Sequence, residues 1–325
     1  MSRPRVAVTS VVPGHALEWL ETACETTVHR GPALDREDAV AAFVGDAEGV
    51  LCLLANPITD GVLAACPRLR VVANCAVGYD NVDLEACRRR GVWVTNTPDV
   101  LTEATADLAW ALILAVTRRI VEADALVRSG RWTGWALDQM LGTGLQGAQL
   151  GIVGFGRIGR AVARRAPAFG LAVAVCDPDP APEPGLDVRV MELDELLATS
   201  DIVSLHAPLD EGSRHLLDEA RLRSMRPGAV LVNTARGPLV DEGALVQVLA
   251  DGHLGGAGLD VYEHEPRVHP GLVGRTDVVL LPHIGSATRE TRSAMAELAA
   301  RNLLAVLSGE EPPTPVVRGA AVDGP

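Results

Sequence analysis

A chain of 325 residues exceeds what one hydrophobic core usually supports, and 48% hydrophobic against 22% charged residues is the balance of a folded globular protein, so two domains are expected. The formal net charge of −13 argues against a general binder of nucleic acid or membrane surfaces, because either partner repels an acidic protein. All 29 Lys+Arg residues are arginine, which excludes a Schiff-base lysine, a pyridoxal-phosphate enzyme and a Walker-type phosphate lysine.

Taken in chain order, the apolar runs Arg5–Thr9, Gly49–Leu54 and Leu69–Cys75 alternate with helix-like Asp35–Phe43 and Thr59–Ala65. That β-α-β-α-β order predicts a parallel sheet. From Thr102 to Arg128, Leu108, Ala111, Leu112, Ala115 and Val116 recur at helical spacing and predict one long connecting helix. A second alternation follows through Ala148–Val153, Leu171–Cys176, Asp201–Leu205, Ala229–Asn233, Gly256–Leu259 and Val278–Leu281. The last helix, about Arg289 to Leu307, follows the final strand and is expected to return to the first unit. The expected fold is therefore α/β with two doubly wound parallel-sheet domains, a continuous one over residues 101–288 inserted into a discontinuous one over 1–100 plus 289–325. Pro178, Pro180, Pro182 and Pro184 predict an exposed loop, and Glu311–Pro325 reads as a loose tail.

Other classes recede on similar grounds. No run of eighteen apolar residues suggests a membrane span, and Pro13, Gly14 and His15 interrupt the amino-terminal pattern where a secretory signal needs continuity. Six cysteines without a C-x-x-C pair read as buried thiols of a reducing compartment, so a cytoplasmic protein with no metal site is expected.

Gly154-Phe155-Gly156-Arg157-Ile158-Gly159 is a G-x-G-x-x-G run placed after an apolar strand and before a helix. Gly154 serves the tight turn, Gly156 lets backbone approach a pyrophosphate, and Gly159 lets helix pack on strand, with the phosphates at the helix start. The following strand ends at Asp177, about where an acid that binds the ribose hydroxyls belongs, so a dinucleotide cofactor is expected. A carboxylate accepts hydrogen bonds from a 2′-hydroxyl and repels a 2′-phosphate, which favours NADH over NADPH. Asp177 also suits a plain turn opener before Pro178.

Three polar residues fall at or beyond ends of predicted strands in the second unit, where open α/β sheets bind ligands. Arg236, after Val232–Ala235, has the planar fork that clamps a carboxylate, though a surface arginine beside a turn glycine would look the same. His283 ends a strand and exchanges protons near neutrality, though a structural histidine fits there too. Glu265 can pair with it and stabilise the imidazolium, or be an acid in a polar loop.

These residues, with Val77-Gly78-Tyr79-Asp80-Asn81-Val82-Asp83, Thr95-Asn96-Thr97-Pro98, Asn233-Thr234-Ala235-Arg236-Gly237, Gly258-Leu259-Asp260-Val261 and Pro282-His283-Ile284-Gly285-Ser286-Ala287-Thr288, carry a resemblance to the D-isomer-specific 2-hydroxyacid dehydrogenases over nearly the whole chain. The resemblance implies a Rossmann NAD-binding domain inserted into a flavodoxin-like substrate domain. It implies that Arg236 binds and polarises a 2-oxo acid, His283 is the acid/base and Glu265 tunes it. Backbone N–H groups at Val77 and Gly78 would take the substrate carboxylate. Thr105, Arg157, Ile158, His206, Pro208, Thr234, Ala235, Asp260 and Gly285 would join the glycines and Asp177 around the cofactor. Within the family the chain is most similar to glyoxylate/hydroxypyruvate reductases, in which the segment Gly130-Arg131-Trp132-Thr133-Gly134-Trp135 crosses a homodimer, so Trp135 would limit the partner's substrate pocket. A tryptophan pair beside glycine also suits simple interface packing.

Two departures stand out. Many such reductases carry a basic or hydroxyl residue where Asp177 stands, and the loop from Glu265 to His283, with Arg267-Val268-His269-Pro270, is shorter and poorer in proline. Phosphite oxidation on this scaffold uses a lysine where Val77 stands, and phosphoglycerate oxidation needs an arginine cluster that the sequence does not locate. A non-enzymatic NAD-sensing co-repressor would keep the same residues, but no extra interaction domain is visible.

Overall fold

The structure, a computed structural model, describes residues 3–180 and 183–319. Its contacts divide the chain into two compact units, Met1–Leu101 with Ser286–Pro325, and Thr102–Gly285.

The first unit begins β1 (Arg5–Val8), α1 (Ala16–Ala23), β2 (Glu25–Val28), α2 (Glu37–Val44), β3 (Gly49–Cys52), α3 (Asp60–Ala65), β4 (Val71–Asn74), α4 (Leu84–Arg90) and β5 (Trp93–Thr95). The inner strands β3 and β4 are buried at every residue, which is why they read as continuous apolar runs rather than alternating ones. Helices α1 and α4 and strands β2 and β5 add to the elements expected from the apolar runs. Strand β2, Glu25-Thr26-Thr27-Val28, is a half-exposed edge with no apolar run to announce it.

The second unit opens with α5 (Thr102–Thr117) and α6 (Ile120–Arg128), so the single long helix expected from periodicity is broken. Arg119 between them is left-handed at φ 52. The cause lies outside the helix: the returning chain places Thr143 so that its N–H donates to the Thr117 carbonyl at 2.8 Å, ending the α5 ladder. Helices α5 and α6 then serve different purposes, since α5 is packed into the unit and no residue of α6 is buried.

There follow β6 (Gln149–Val153), α7 (Arg157–Arg165), β7 (Ala172–Cys176), β8 (Arg189–Val190), α8 (Leu193–Thr199), β9 (Ile202–Leu205), α9 (Glu219–Ser224), β10 (Val230–Asn233), α10 (Glu242–Ala250), β11 (Gly256–Leu259) and β12 (Val278–Leu280). These strands form one parallel sheet in the order β12-β11-β10-β9-β6-β7-β8. Alternate strand residues supply two cores, one around Leu196, Leu231 and Leu245, the other joining Ile152 and Val232 to α5 and α7. The order reverses between β6 and β9, the switch point where doubly wound sheets take ligands.

The chain then re-enters the first unit as α11 (Arg289–Ser308), whose start is capped by Thr288 accepting from Thr291 N, and β13 (Pro315–Val317). The first sheet runs β13-β5-β4-β3-β1-β2, parallel except at β13. The expected loose tail is thus corrected for its described part. Asn302, fully buried on α11, donates to Thr314 Oγ1 at 2.7 Å and accepts from Thr314 N at 3.0 Å, fastening the segment that pairs with β5. Residues 320–325 of that tail, and Pro182 of the expected proline loop, lie outside the described residues; Pro178 and Pro184 are exposed.

Candidate active site

The glycine loop owes its shape to close backbone approaches. At Gly154, with φ 91, a Cβ would lie 2.5–2.7 Å from backbone atoms of His206 and Ala207, so glycine alone lets the loops after β6 and β9 meet. A Cβ on Gly159 would fall 2.1 Å from the Gly154 carbonyl oxygen. Gly156 is the N-cap of α7 without any side-chain cap, and the space before it is open. Arg157 and Ile158 are the first residues of that helix, whose unsatisfied N–H groups and positive end fit a phosphate. Asp177 follows β7; its Oδ2 accepts from Phe155 N at 2.6 Å and its Oδ1 from Asp179 N at 2.9 Å.

His206 meets the glycine loop through its backbone. Its ring Nε2 lies 2.8 Å from Ser204 Oγ, and withdrawal from water pushes its pKa down to about 4, so the ring is neutral and turned onto the sheet while the backbone meets Gly154. Pro208 is exposed, with its carbonyl accepting from Ser213 Oγ at 2.9 Å.

Beyond β10, Asn233 shapes the next loop. Its buried carboxamide accepts from Ala235 N at 3.0 Å and donates to the Arg236 carbonyl at 2.8 Å. Arg236 Nη1 donates back to the Ala235 carbonyl at 2.7 Å. Thr234 is buried and its hydroxyl has no hydrogen-bond partner among the described residues. A buried polar atom without a partner is costly, and a bound group is one way of satisfying it. Together the uncapped start of α7, the glycine approaches and this hydroxyl fit a dinucleotide.

His283 sits two residues past Leu281 in a left-handed conformation, φ 53, that is rare for a residue with a Cβ. The conformation is imposed by Asp260 at the end of β11. Its backbone carbonyl accepts from His283 N at 2.9 Å, and its two carboxylate oxygens accept from Ile284 N and Gly285 N, each at 2.7 Å. Asp260 has no exposed surface, so in the structure it holds the loop rather than presenting an oxygen outward. Burial raises its pKa, partly opposed by those N–H groups and by His283. Thr105, on the first turn of α5, lies beside the same loop: a Cβ on Gly285 would be 3.5 Å from its hydroxyl.

With its backbone so fixed, His283 Nδ1 lies 2.9 Å from Glu265 Oε2, while Glu265 Oε1 accepts from Tyr262 N at 3.1 Å. Burial pushes the Glu265 carboxyl up, but the hydrogen bond and charge of His283, the Tyr262 N–H and the charge of Arg236 outweigh it and hold it below its ordinary range. Glu265 is therefore an anion that accepts Nδ1–H, and Nε2 of His283 is left for exchange. Arg236, Glu265 and His283 are thus electrostatically joined, as their spacing along the sequence could only suggest.

In the first unit, Val77 and Gly78 follow β4. Asn96 Nδ2 donates to the Val77 carbonyl and Asn74 Nδ2 to the Gly78 carbonyl, both at 2.8 Å. Two asparagines thereby fix the orientation of these peptide groups, and among the described residues neither Val77 N–H nor Gly78 N–H meets an acceptor. Trp135 lies in the irregular segment after α6, is 80% exposed, and is joined by no hydrogen bond or ring contact to the described residues.

Sequence reading missed the residues that hold backbone in place. Asn74, Asn96 and Asn233 lay inside quoted motifs or beside them without assigned tasks. Glu242 on α10 belongs to no motif, yet it is buried and its Oε1 accepts from Glu263 N at 2.7 Å, pinning the loop that carries Glu265.

The family model "D-isomer specific 2-hydroxyacid dehydrogenase, NAD binding domain" matches residues 110–285. A glyoxylate reductase of Thermococcus litoralis is 43% identical over 99% of both chains. Among solved structures, a protein of Thermus thermophilus is 50% identical with a TM-score of 0.91, covering 96% of this chain and all of that one. An NADPH-dependent glyoxylate/hydroxypyruvate reductase of Sinorhizobium meliloti is 36% identical with a TM-score of 0.87, covering 99% and 100%. Fold and site define a nicotinamide-dependent oxidoreductase of the class that acts on CH–OH groups. The chain belongs to the D-isomer-specific 2-hydroxyacid dehydrogenase family.

Proposed function

We propose that the chain is a cytoplasmic, homodimeric reductase of glyoxylate and hydroxypyruvate that prefers NADH. The observation that carries the reading is the His283–Glu265 pair, 2.9 Å apart, on a loop that Asp260 locks in a left-handed turn beside Arg236. Likeness to relatives named glyoxylate reductase supports the substrate.

Arg236 binds the 2-oxo acid and polarises its carbonyl oxygen, while Val77 and Gly78 present N–H groups to the carboxylate. His283 gives the proton from Nε2 to the oxygen, and Glu265 holds the ring and offsets its charge. Gly154, Gly156, Gly159, Arg157 and Ile158 would hold the pyrophosphate, and Thr234, Ala235, Thr105 and Gly285 the nicotinamide end. A nicotinamide held there would supply the hydride for the 2-oxo carbon. Asp177 accepts from the ribose hydroxyls and disfavours a 2′-phosphate. Phosphite oxidation lacks its anion-binding lysine, since valine occupies position 77.

The second copy is supported by the apolar surface of α6 and the segment after it: Ile120, Val121, Val127, Trp132, Trp135 and Leu137 are all more than half exposed. A patch of this kind marks an association surface. Trp135 would then reach the partner's substrate pocket.

The test is the initial rate of NADH and NADPH oxidation against glyoxylate, hydroxypyruvate, pyruvate and phenylpyruvate. Fast NADH turnover on the first two is expected. Silence on all four with NADH bound sinks the reading, and faster turnover with NADPH removes the cofactor preference alone.

A further inference from the structure

Six residues beyond Asp177, Glu183 faces two arginines of α7. Its Oε1 accepts from Arg164 Nη1 at 2.9 Å, and its Oε2 lies 3.4 Å from Arg160 Nε. The Glu183 and Arg160 side chains are 17% and 26% exposed, so the pair is partly withdrawn from water. Arg160 Nη1 also donates to the Phe155 carbonyl at 3.2 Å. The N–H of that same Phe155 is the one held by Asp177 at 2.6 Å. Arg160 and Asp177 therefore grip the two ends of one residue of the glycine loop, and Glu183 occupies the guanidinium.

We propose that Glu183 is a specificity-determining residue: by engaging Arg160 it withholds a guanidinium from the ribose end of the dinucleotide site and so reinforces discrimination against a 2′-phosphate. The inference rests on the reading of Asp177 as the ribose acid and deepens it. NADP differs from NAD by a dianionic group, for which a free arginine fork is the strongest side-chain receptor. Glu183 acts twice against it, adding a negative charge nearby and occupying the cation that would answer it. Arg164 is not equally released when Glu183 is neutralised, because Glu103 also holds it at 2.9 Å. The effect therefore runs through Arg160.

The test is binding by titration calorimetry of NAD+, NADP+, 5′-AMP and 2′,5′-ADP to the full-length protein and to Glu183→Gln, Arg160→Gln and the double variant. Glu183→Gln is expected to raise NADP+ affinity relative to NAD+ on the order of fivefold to tenfold, the size of one partly exposed charge contact. The pair 2′,5′-ADP and 5′-AMP should show the same shift, which isolates the ribose end from catalysis. The double variant should return the ratio to that of Arg160→Gln alone. An unchanged ratio in Glu183→Gln, or a gain that survives loss of Arg160, overturns the proposal. Wild-type protein that binds NADP+ more tightly than NAD+ removes the Asp177 reading instead, and the shift between variants still decides the role of Glu183. Glu183→Ala serves as a second neutral variant should Glu183→Gln fold poorly.

Discussion

His283→Asn should lower kcat for 2-oxo acid reduction by about 10²- to 10⁴-fold, the usual worth of a positioned acid/base, while the dissociation constant for NADH changes little. Asparagine is the informative replacement because position 283 has φ 53, a conformation asparagine tolerates better than most residues. The loop clamp is made by backbone N–H groups of His283, Ile284 and Gly285 on Asp260, and all three survive the exchange. A kcat within a few-fold of the parent would remove His283 from proton transfer. Equal loss of turnover and NADH binding would assign it a structural task instead.

The same variant has a signature in acid that does not depend on turnover. Glu265 titrates below its ordinary range in the folded protein, so its pairing contributes stability that is present above the unfolded carboxyl pKa, near pH 4, and is lost as pH falls through the lowered folded value. In His283→Asn the hydrogen bond and charge that lower it are gone. The difference in melting temperature between parent and variant should therefore shrink as pH falls from 6 toward 3. A difference that stays constant across that range would mean that the pair is not coupled in solution.

The sequence discloses those parts of the candidate site whose chemistry is local. Gly154, Gly156 and Gly159 lie within six positions, and the acid at Asp177 follows at the end of the next strand, so a reader needs only one β-α-β unit to assemble them. Arg236, Glu265 and His283 are separated along the chain, but each stands near the end of a strand, and sheet topology brings such ends together. What stayed hidden were polar side chains that serve backbone rather than ligand. Asn96 and Glu242 have no spacing rule, because each answers a carbonyl or N–H delivered by a distant segment, while Asn74 answers the Gly78 carbonyl four residues on, across an irregular turn. The break at Arg119 was invisible for the same reason: the residues favour helix throughout, and the N–H that ends α5 arrives from Thr143. Edge strand β2 has no apolar run, since an edge is half solvated, and the tail strand β13 is only three residues long and opens on Pro315, which suits only a border position.

Gly237→Ala should do more damage than any other single methyl group near the site. A Cβ there would lie 1.9 Å from both the carbonyl carbon and oxygen of Tyr262 and 2.4 Å from Glu263 N. All three are backbone atoms, and that backbone has little freedom to yield. Glu263 N is held by Glu242 at 2.7 Å, Tyr262 N by Glu265 at 3.1 Å, and the Tyr262 hydroxyl donates to the Leu281 carbonyl at 2.8 Å. On the other side, Val240 N donates to the Gly237 carbonyl at 3.0 Å and Asn233 holds Arg236. The two loops must therefore part, and the loops that part are the ones carrying Arg236 and Glu265. Overpacking of this kind costs about 1–3 kcal/mol, visible as a fall in melting temperature. Misplacement by about 1 Å costs on the order of 10²-fold in kcat/KM, because the arginine clamp and the proton donor no longer address one substrate geometry. Gly144→Ala is the control, since a Cβ there meets nothing within 4 Å. Gly144→Ala should match the parent in both measurements. If Gly237→Ala also keeps the parent's kcat/KM, the spacing of Arg236 and Glu265 is not set by this contact, and the approach of the two loops is a matter of packing alone.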